Sequence, residues 1–237
     1  MDPESPSVVV FPGAGSFGTE LRGLLSASGP SAWLTRYPGR LGRDFGRAAG
    51  TFEEVVRSCV AQVERRRPVR PVLVGHSFGA YVAHATAREL AELGTEVAAL
   101  VVVGANAPAL LTVPEPPTLH RSDTVAYLEG IDPGLLPDEG DEWREIVIDT
   151  AMQDLRLLRE STGSTVREVS CPILAVRGAE DPLTSTDGIG AWADATSGSF
   201  VSRTFPGGHS DLLDTPAFAT WLREASRHSP VATRTAG

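Results

Sequence analysis

The chain has little cysteine, a deficit of positive charge and no long apolar run, and each shortage removes a class of function. Its two cysteines, Cys59 and Cys171, lie far apart in 237 residues and suit a helix and a strand interior, so buried free thiols are expected rather than a disulfide framework. Neither stands near a histidine at ligand spacing, and no C-x-x-C or H-E-x-x-H occurs, so no metal site is expected. Lysine and arginine total 21 against 30 acidic residues, and the resulting net charge of -9 lacks the basic footprint that nucleic-acid binding requires. No stretch approaches the roughly 20 apolar residues of a membrane span. The start, Met1-Asp2-Pro3-Glu4-Ser5-Pro6, is acidic and has none of the parts of a signal peptide. A cytoplasmic protein with no membrane or nucleic-acid partner is the expectation.

What remains is ordinary for a globular protein, with 41% apolar and 22% charged residues, and long enough for one large α/β domain. Ser7 to Phe11 reads as a buried first strand, followed by a helix near Thr19–Ser26 and a shorter strand over Ala32–Tyr37. Thr51 caps a helix from Phe52 to Arg67, with Glu53 and Glu54 in its first turn and Arg65-Arg66-Arg67 in its last, which suits the macrodipole. Pro71–Val74, Val97–Val103, Cys171–Val176 and Phe200–Phe205 are further strands, separated by helices running to about Gly94, over Ile189–Ala195 and over Pro216–Arg227. Alternating strands and helices imply an α/β fold with a right-handed, mostly parallel sheet flanked by helices.

Between Val103 and Cys171 the chain is too long for a structureless loop. Ser122–Leu128 and Asp141–Arg159 look helical, with turns at Asp132–Gly134 and Leu136–Gly140. A helical insertion over approximately 107–169 is a natural lid on a single domain spanning 1–228, and the small, polar residues 229–237 read as a tail.

The strongest local signal is Gly75-His76-Ser77-Phe78-Gly79, placed between an apolar strand and a helix. A strand that runs through G-x-S-x-G straight into a helix is a nucleophile elbow, which lifts the serine hydroxyl above the sheet. The flanking glycines are needed because strand and helix approach too closely there for side chains. A serine needs a base and an orienting carboxylate, in the chain order Ser, acid, His. Among His84, His120, His209 and His228, His209 leads, because Gly207-Gly208-His209 follows the last strand and its glycines let a loop fold back over the sheet edge. Asp181 leads for the acid, since it follows the strand ending Val176-Arg177-Gly178, with Glu180 and Asp187 as rivals. His76 is expected to pack or to brace the elbow, and His84 to point away from the serine.

An oxyanion needs two fixed N–H donors. Phe78 should supply one and the loop Pro12-Gly13-Ala14-Gly15-Ser16, through Ala14, the other. The same loop spells Gly13-Ala14-Gly15-Ser16-Phe17-Gly18, a possible dinucleotide turn. A Rossmann site would want an acid after the second strand, where Arg36-Tyr37-Pro38 stands, which at best suits an NADP 2′-phosphate.

Phe11-Pro12-Gly13-Ala14-Gly15, Tyr37-Pro38-Gly39-Arg40, the elbow, Gly178-Ala179-Glu180-Asp181 and Gly207-Gly208-His209 together resemble the type II thioesterases of polyketide and nonribosomal peptide assembly lines. Met152 to Leu158 is similar to the lid helix of that family. The family often has two glycines where Gly15-Ser16 stands, and aromatic or apolar residues where Ser210-Asp211 follow the histidine. The resemblance implies an α/β-hydrolase that clears acyl groups from the phosphopantetheine arm of acyl or peptidyl carrier proteins, with no cofactor. It makes Arg36, Arg40 and Arg43 candidates for docking an acidic carrier, against internal pairing with carboxylates. Cyclisation or acyl transfer through the same acyl-enzyme stands as the alternative outcome.

Overall fold

The computed structural model describes residues 7–227 except 139, 141 and 163–166. The expectations placed on Met1–Pro6, Asp141, His228 and the tail fall outside these residues. Six strands form one sheet: β1 (Val8–Phe11), β2 (Trp33–Leu34), β3 (Val72–His76), β4 (Ala99–Val103), β5 (Ile173–Gly178) and β6 (Phe200–Phe205). The order is β2-β1-β3-β4-β5-β6, and every pairing is parallel. After β1 the chain moves outward to β2, then returns to place β3 on the other side of β1. That reversal leaves a crevice beyond the carboxyl ends of β1 and β3, where open α/β sheets bind their ligands.

The apolar runs are two-faced, as a sheet covered on both sides demands. Val9, Phe11, Leu73, Leu100 and Val102 pack against α2 (Phe52–Arg66) and α3 (Phe78–Glu92). The alternating Val8, Val10, Val72, Val74 and Val101 meet α1 (Arg22–Ala27) and α7 (Pro216–Arg227). The expected Thr51 cap on α2 is formed, its side chain accepting from Glu54 N–H at 3.2 Å. Cys59 and Cys171 are both buried free thiols, each pushed up to about 12 chiefly by burial.

Two elements differ from the sequence expectation. The second strand keeps only Trp33–Leu34. Thr35 N–H still donates to Val10 O at 2.8 Å, but the next ladder bond would need an N–H from Pro12 of the neighbouring chain segment, which has none, so the ladder ends. The helix expected over Ile189–Ala195 begins earlier, as α6 (Thr186–Gly190), because the Ser185 hydroxyl accepts from Gly188 N–H at 2.9 Å, and it tightens to a 3-10 turn from Ala191.

Between β4 and β5, α4 (Arg121–Ile131) and α5 (Glu142–Ser161) form a cap with its own small core of Leu128, Leu136, Val147, Ile148 and Ala151. No helix among the described residues is long and apolar enough to cross a membrane.

Candidate active site

Ser77 sits between β3 and α3 at φ 53 and ψ -122, a region that L residues avoid. The two elbow glycines explain how the turn fits. A Cβ on Gly75 would lie 2.3 Å from Gly79 O, and one on Gly79 would lie 2.2 Å from Phe11 O. All of those neighbours are backbone, so the turn has no room for alanine at either position.

His209 and Asp181 come from neighbouring loops that are laced together. Ala179 N–H donates to Phe205 O at 2.8 Å and Glu180 N–H to Gly207 O at 3.0 Å. A Cβ on Gly178 would fall 2.1 Å from Gly208 O, so the glycine is what lets the loops touch. His209 Nδ1 then lies 3.1 Å from Asp181 Oδ2, with both side chains buried. Burial pushes the Asp181 carboxyl up, but the hydrogen bond and charge of His209, the Leu183 N–H and the Thr184 hydroxyl outweigh it and hold the carboxyl below its ordinary value. Its rivals Glu180 and Asp187 are exposed to solvent.

His76, expected to pack or to brace the elbow, is buried and reaches across to the histidine loop. Its Nε2 lies 3.0 Å from His209 O, in the geometry of an N–H donating to a carbonyl. Burial, then the charge of His209, lowers its pKa to about 3, so it stays neutral beside a base that gains a proton. His84 lies away from the cleft, edge-on to Trp192 at 5.5 Å, and burial lowers it to about 4.

Ser77, His209, Phe78 and Ala14 line one cleft of about 270 Å3, together with Leu155 and Leu158 of the cap. Phe78 is the first residue of α3, so its N–H has no intrahelical partner. A Cβ on Gly13 would be 3.5 Å from Ser77 Cβ, which places the loop after β1 directly beside the nucleophile candidate. Ala14 N–H forms no hydrogen bond among the described residues. Both residues with candidate oxyanion donors thus line the same cleft as the serine.

The dinucleotide alternative loses its anchor here. Gly15 N–H, which a pyrophosphate would need, donates instead to Asp154 Oδ2 at 2.8 Å. Arg40, considered for docking, is buried and paired with that carboxylate, whereas Arg36 and Arg43 are exposed. Asp154, Asn106 and Thr184 also support the site and were missed from the sequence. Asn106 ties the loop after β4 to the acid loop, donating to Leu183 O at 3.0 Å and accepting from Ser185 N–H at 3.2 Å. Asp154 lies within the Met152–Leu158 segment that resembles a lid helix, but nothing local marks its role, and all three are identified by their partners across the fold. No group of three or more potential metal ligands occurs among the described residues.

A parallel sheet with a serine elbow at its crevice and an acid and a histidine on the following strand ends defines an α/β-hydrolase. The Thioesterase domain family matches residues 6–224, and the chain belongs to that family. It is 31% identical over 191 residues to thioesterase PikA5 of Streptomyces venezuelae, covering 77% of this chain and 66% of that one. A probable cadicidin biosynthesis thioesterase of Streptomyces griseus is 28% identical over 210 residues, with 85% and 57% covered. The chain therefore spans less than two thirds of the length of these curated relatives. Among solved structures, the type II thioesterase BorB of the borrelidin cluster superposes with TM-score 0.83 at 26% identity, covering 95% of this chain and 94% of its own.

Proposed function

We propose that this protein is a serine thioesterase that hydrolyses acyl groups from the phosphopantetheine arms of carrier proteins in polyketide or nonribosomal peptide synthesis. The observation that carries the reading is the convergence, in a chain of the thioesterase domain family, of Ser77 with the buried His209–Asp181 pair in a cleft walled by apolar cap residues. His209 takes the Ser77 proton as the hydroxyl oxygen attacks the thioester carbonyl. Asp181 holds the imidazole by Nδ1 and stabilises the imidazolium. The oxyanion is met by the N–H groups of Phe78 and Ala14. The tetrahedral centre collapses with loss of the pantetheine thiol, which takes its proton from His209. Water, deprotonated by the same imidazole, then releases the free acid and restores Ser77.

The cap over 107–169 acts in this reading as a lid over the acyl group, and the cytoplasm is the compartment where such carriers are loaded. BorB is described as a type II thioesterase of a biosynthetic cluster, which supports an editing role for a chain of the same fold and extent. Incubation of a panel of acyl-carrier proteins and acyl-CoAs with wild type and Ser77→Ala, read by mass spectrometry, tests it. Free acids from wild type alone are expected. Equal turnover by Ser77→Ala refutes the mechanism, and lactones or esters in place of acids refute hydrolysis.

A further inference from the structure

Arg40 and Asp154 form an ion pair with side chains only 5% and 7% exposed. Burying two charges gains little stability over an apolar pair, so what the pair touches matters more than its own energy. Asp154 projects from α5 of the cap, and Arg40 from the turn after β2, yet both converge on the loop after β1. Asp154 Oδ2 accepts from Gly15 N–H at 2.8 Å and from the Arg40 guanidinium, which also donates to Ser16 O. The same guanidinium lies 4.7 Å from the centre of the Tyr37 ring, whose hydroxyl donates to Pro12 O at 2.9 Å. The backbone is thus pinned at 12, 15 and 16, on both sides of Ala14. Gly15 adds the reason α5 can reach the loop: it sits at φ +71, and a Cβ there would be 2.7 Å from Ala151 Cβ of α5.

We propose that Arg40 and Asp154 are positioning residues that hold Ala14 N–H in place as an oxyanion donor, and that they tie this donor to the seating of α5, so that cap closure and completion of the oxyanion hole are one event. The proposal rests on the reading of Ser77 and Ala14 given above. An amide at 154 keeps an acceptor but loses the charge that grips Arg40, and a lysine at 40 keeps the charge but cannot fork between Asp154 and Ser16.

Asp154→Asn and Arg40→Lys, counted by active-site titration so that only folded enzyme is compared, test it. A misplaced donor should cost less than its outright removal, which is about 10²- to 10³-fold. Each variant is expected to lose about tenfold to a hundredfold in kcat with KM nearly unchanged. Affinity for a trifluoromethyl ketone analogue of the substrate should fall by the same factor, and affinity for the unreactive amide analogue should not. Unchanged kcat and ketone affinity, with only a lower melting point, would mean a purely structural pair and overturn the proposal. In the unmutated protein, Gly15 N–H should exchange with deuterium at the opening rate of the α5 amides around Ala151 and Leu155. Exchange of Gly15 while α5 stays closed overturns the coupling. If wild type itself binds the ketone no tighter than the amide, the assignment of the hole fails first; if wild type discriminates and both variants match it, the hole stands and the positioning role of Arg40 and Asp154 fails.

Discussion

Replacing Ser77 by glycine and by alanine removes the same hydroxyl but treats the elbow backbone differently. Alanine must keep φ 53 and ψ -122, a conformation that costs a residue with a Cβ about 1–3 kcal/mol. Glycine adopts it freely, but it loses about 0.4–1 kcal/mol relative to alanine through the greater freedom of its unfolded chain. The mid-range difference leaves Ser77→Gly more stable than Ser77→Ala by about 1.3 kcal/mol. For a protein of this size that corresponds to a melting point higher by about 3–5 °C. Thermal and urea denaturation of the two variants measures the difference, with both expected to be inactive toward acyl thioesters. If Ser77→Ala melts at the same temperature as Ser77→Gly or above it, the elbow stores no strain and the argument fails.

Asp181→Asn should lower kcat by about 10³- to 10⁴-fold, because an amide can hold His209 in the wrong tautomer; retention of a tenth of the activity would remove Asp181 from its role. The same carboxyl is held below its ordinary value in the folded state, so its stabilising contribution is present above about pH 4 and is lost as pH falls through the lower folded value. Acid titration of stability should show this component in wild type and not in Asp181→Asn. His76 and His84, lowered to about 3 and about 4, act over a higher window. Below about pH 6.5 the unfolded chain protonates both while the folded chain does not, so stability drops as pH falls toward those values. His84→Phe should reduce that slope between pH 6 and 5 by about 1 kcal/mol per pH unit in urea denaturation, and an unchanged slope would show that His84 already carries a proton when folded.

The parts of the site that local geometry dictates could be read from the chain. Gly75 and Gly79 are demanded by the contact between β3 and α3, and Gly178 by the contact between the acid and histidine loops, so their spacing advertised Ser77, Asp181 and His209 as residues brought to one sheet edge. The buried parallel strands were equally legible in the apolar runs Ser7–Phe11 and Val97–Val103. The Arg40–Asp154 pair was not, because its partners are 114 residues apart and an arginine in a glycine-rich turn looks the same whether it faces solvent or a carboxylate. The early end of β2 depends on Pro12 standing where β1 would have to donate the next ladder bond, a cross-strand register that no local propensity reports. For His76 the sequence leaves packing and bracing of the elbow open, and its partner, the main-chain carbonyl of His209, becomes visible only once β6 is docked.

That docking has a price in robustness. β6, which delivers His209, is one of the sheet's two edge strands, paired to β5 alone and solvent-exposed from Val201 to Thr204. Edge elements open at lower free energy than the core. In the proposed mechanism, chemistry at Ser77 therefore depends on a strand at the sheet's rim. On warming, the proton acceptor should come away, reversibly, while β1, β3 and β4 are still paired, so that the catalyst switches itself off before the molecule comes apart.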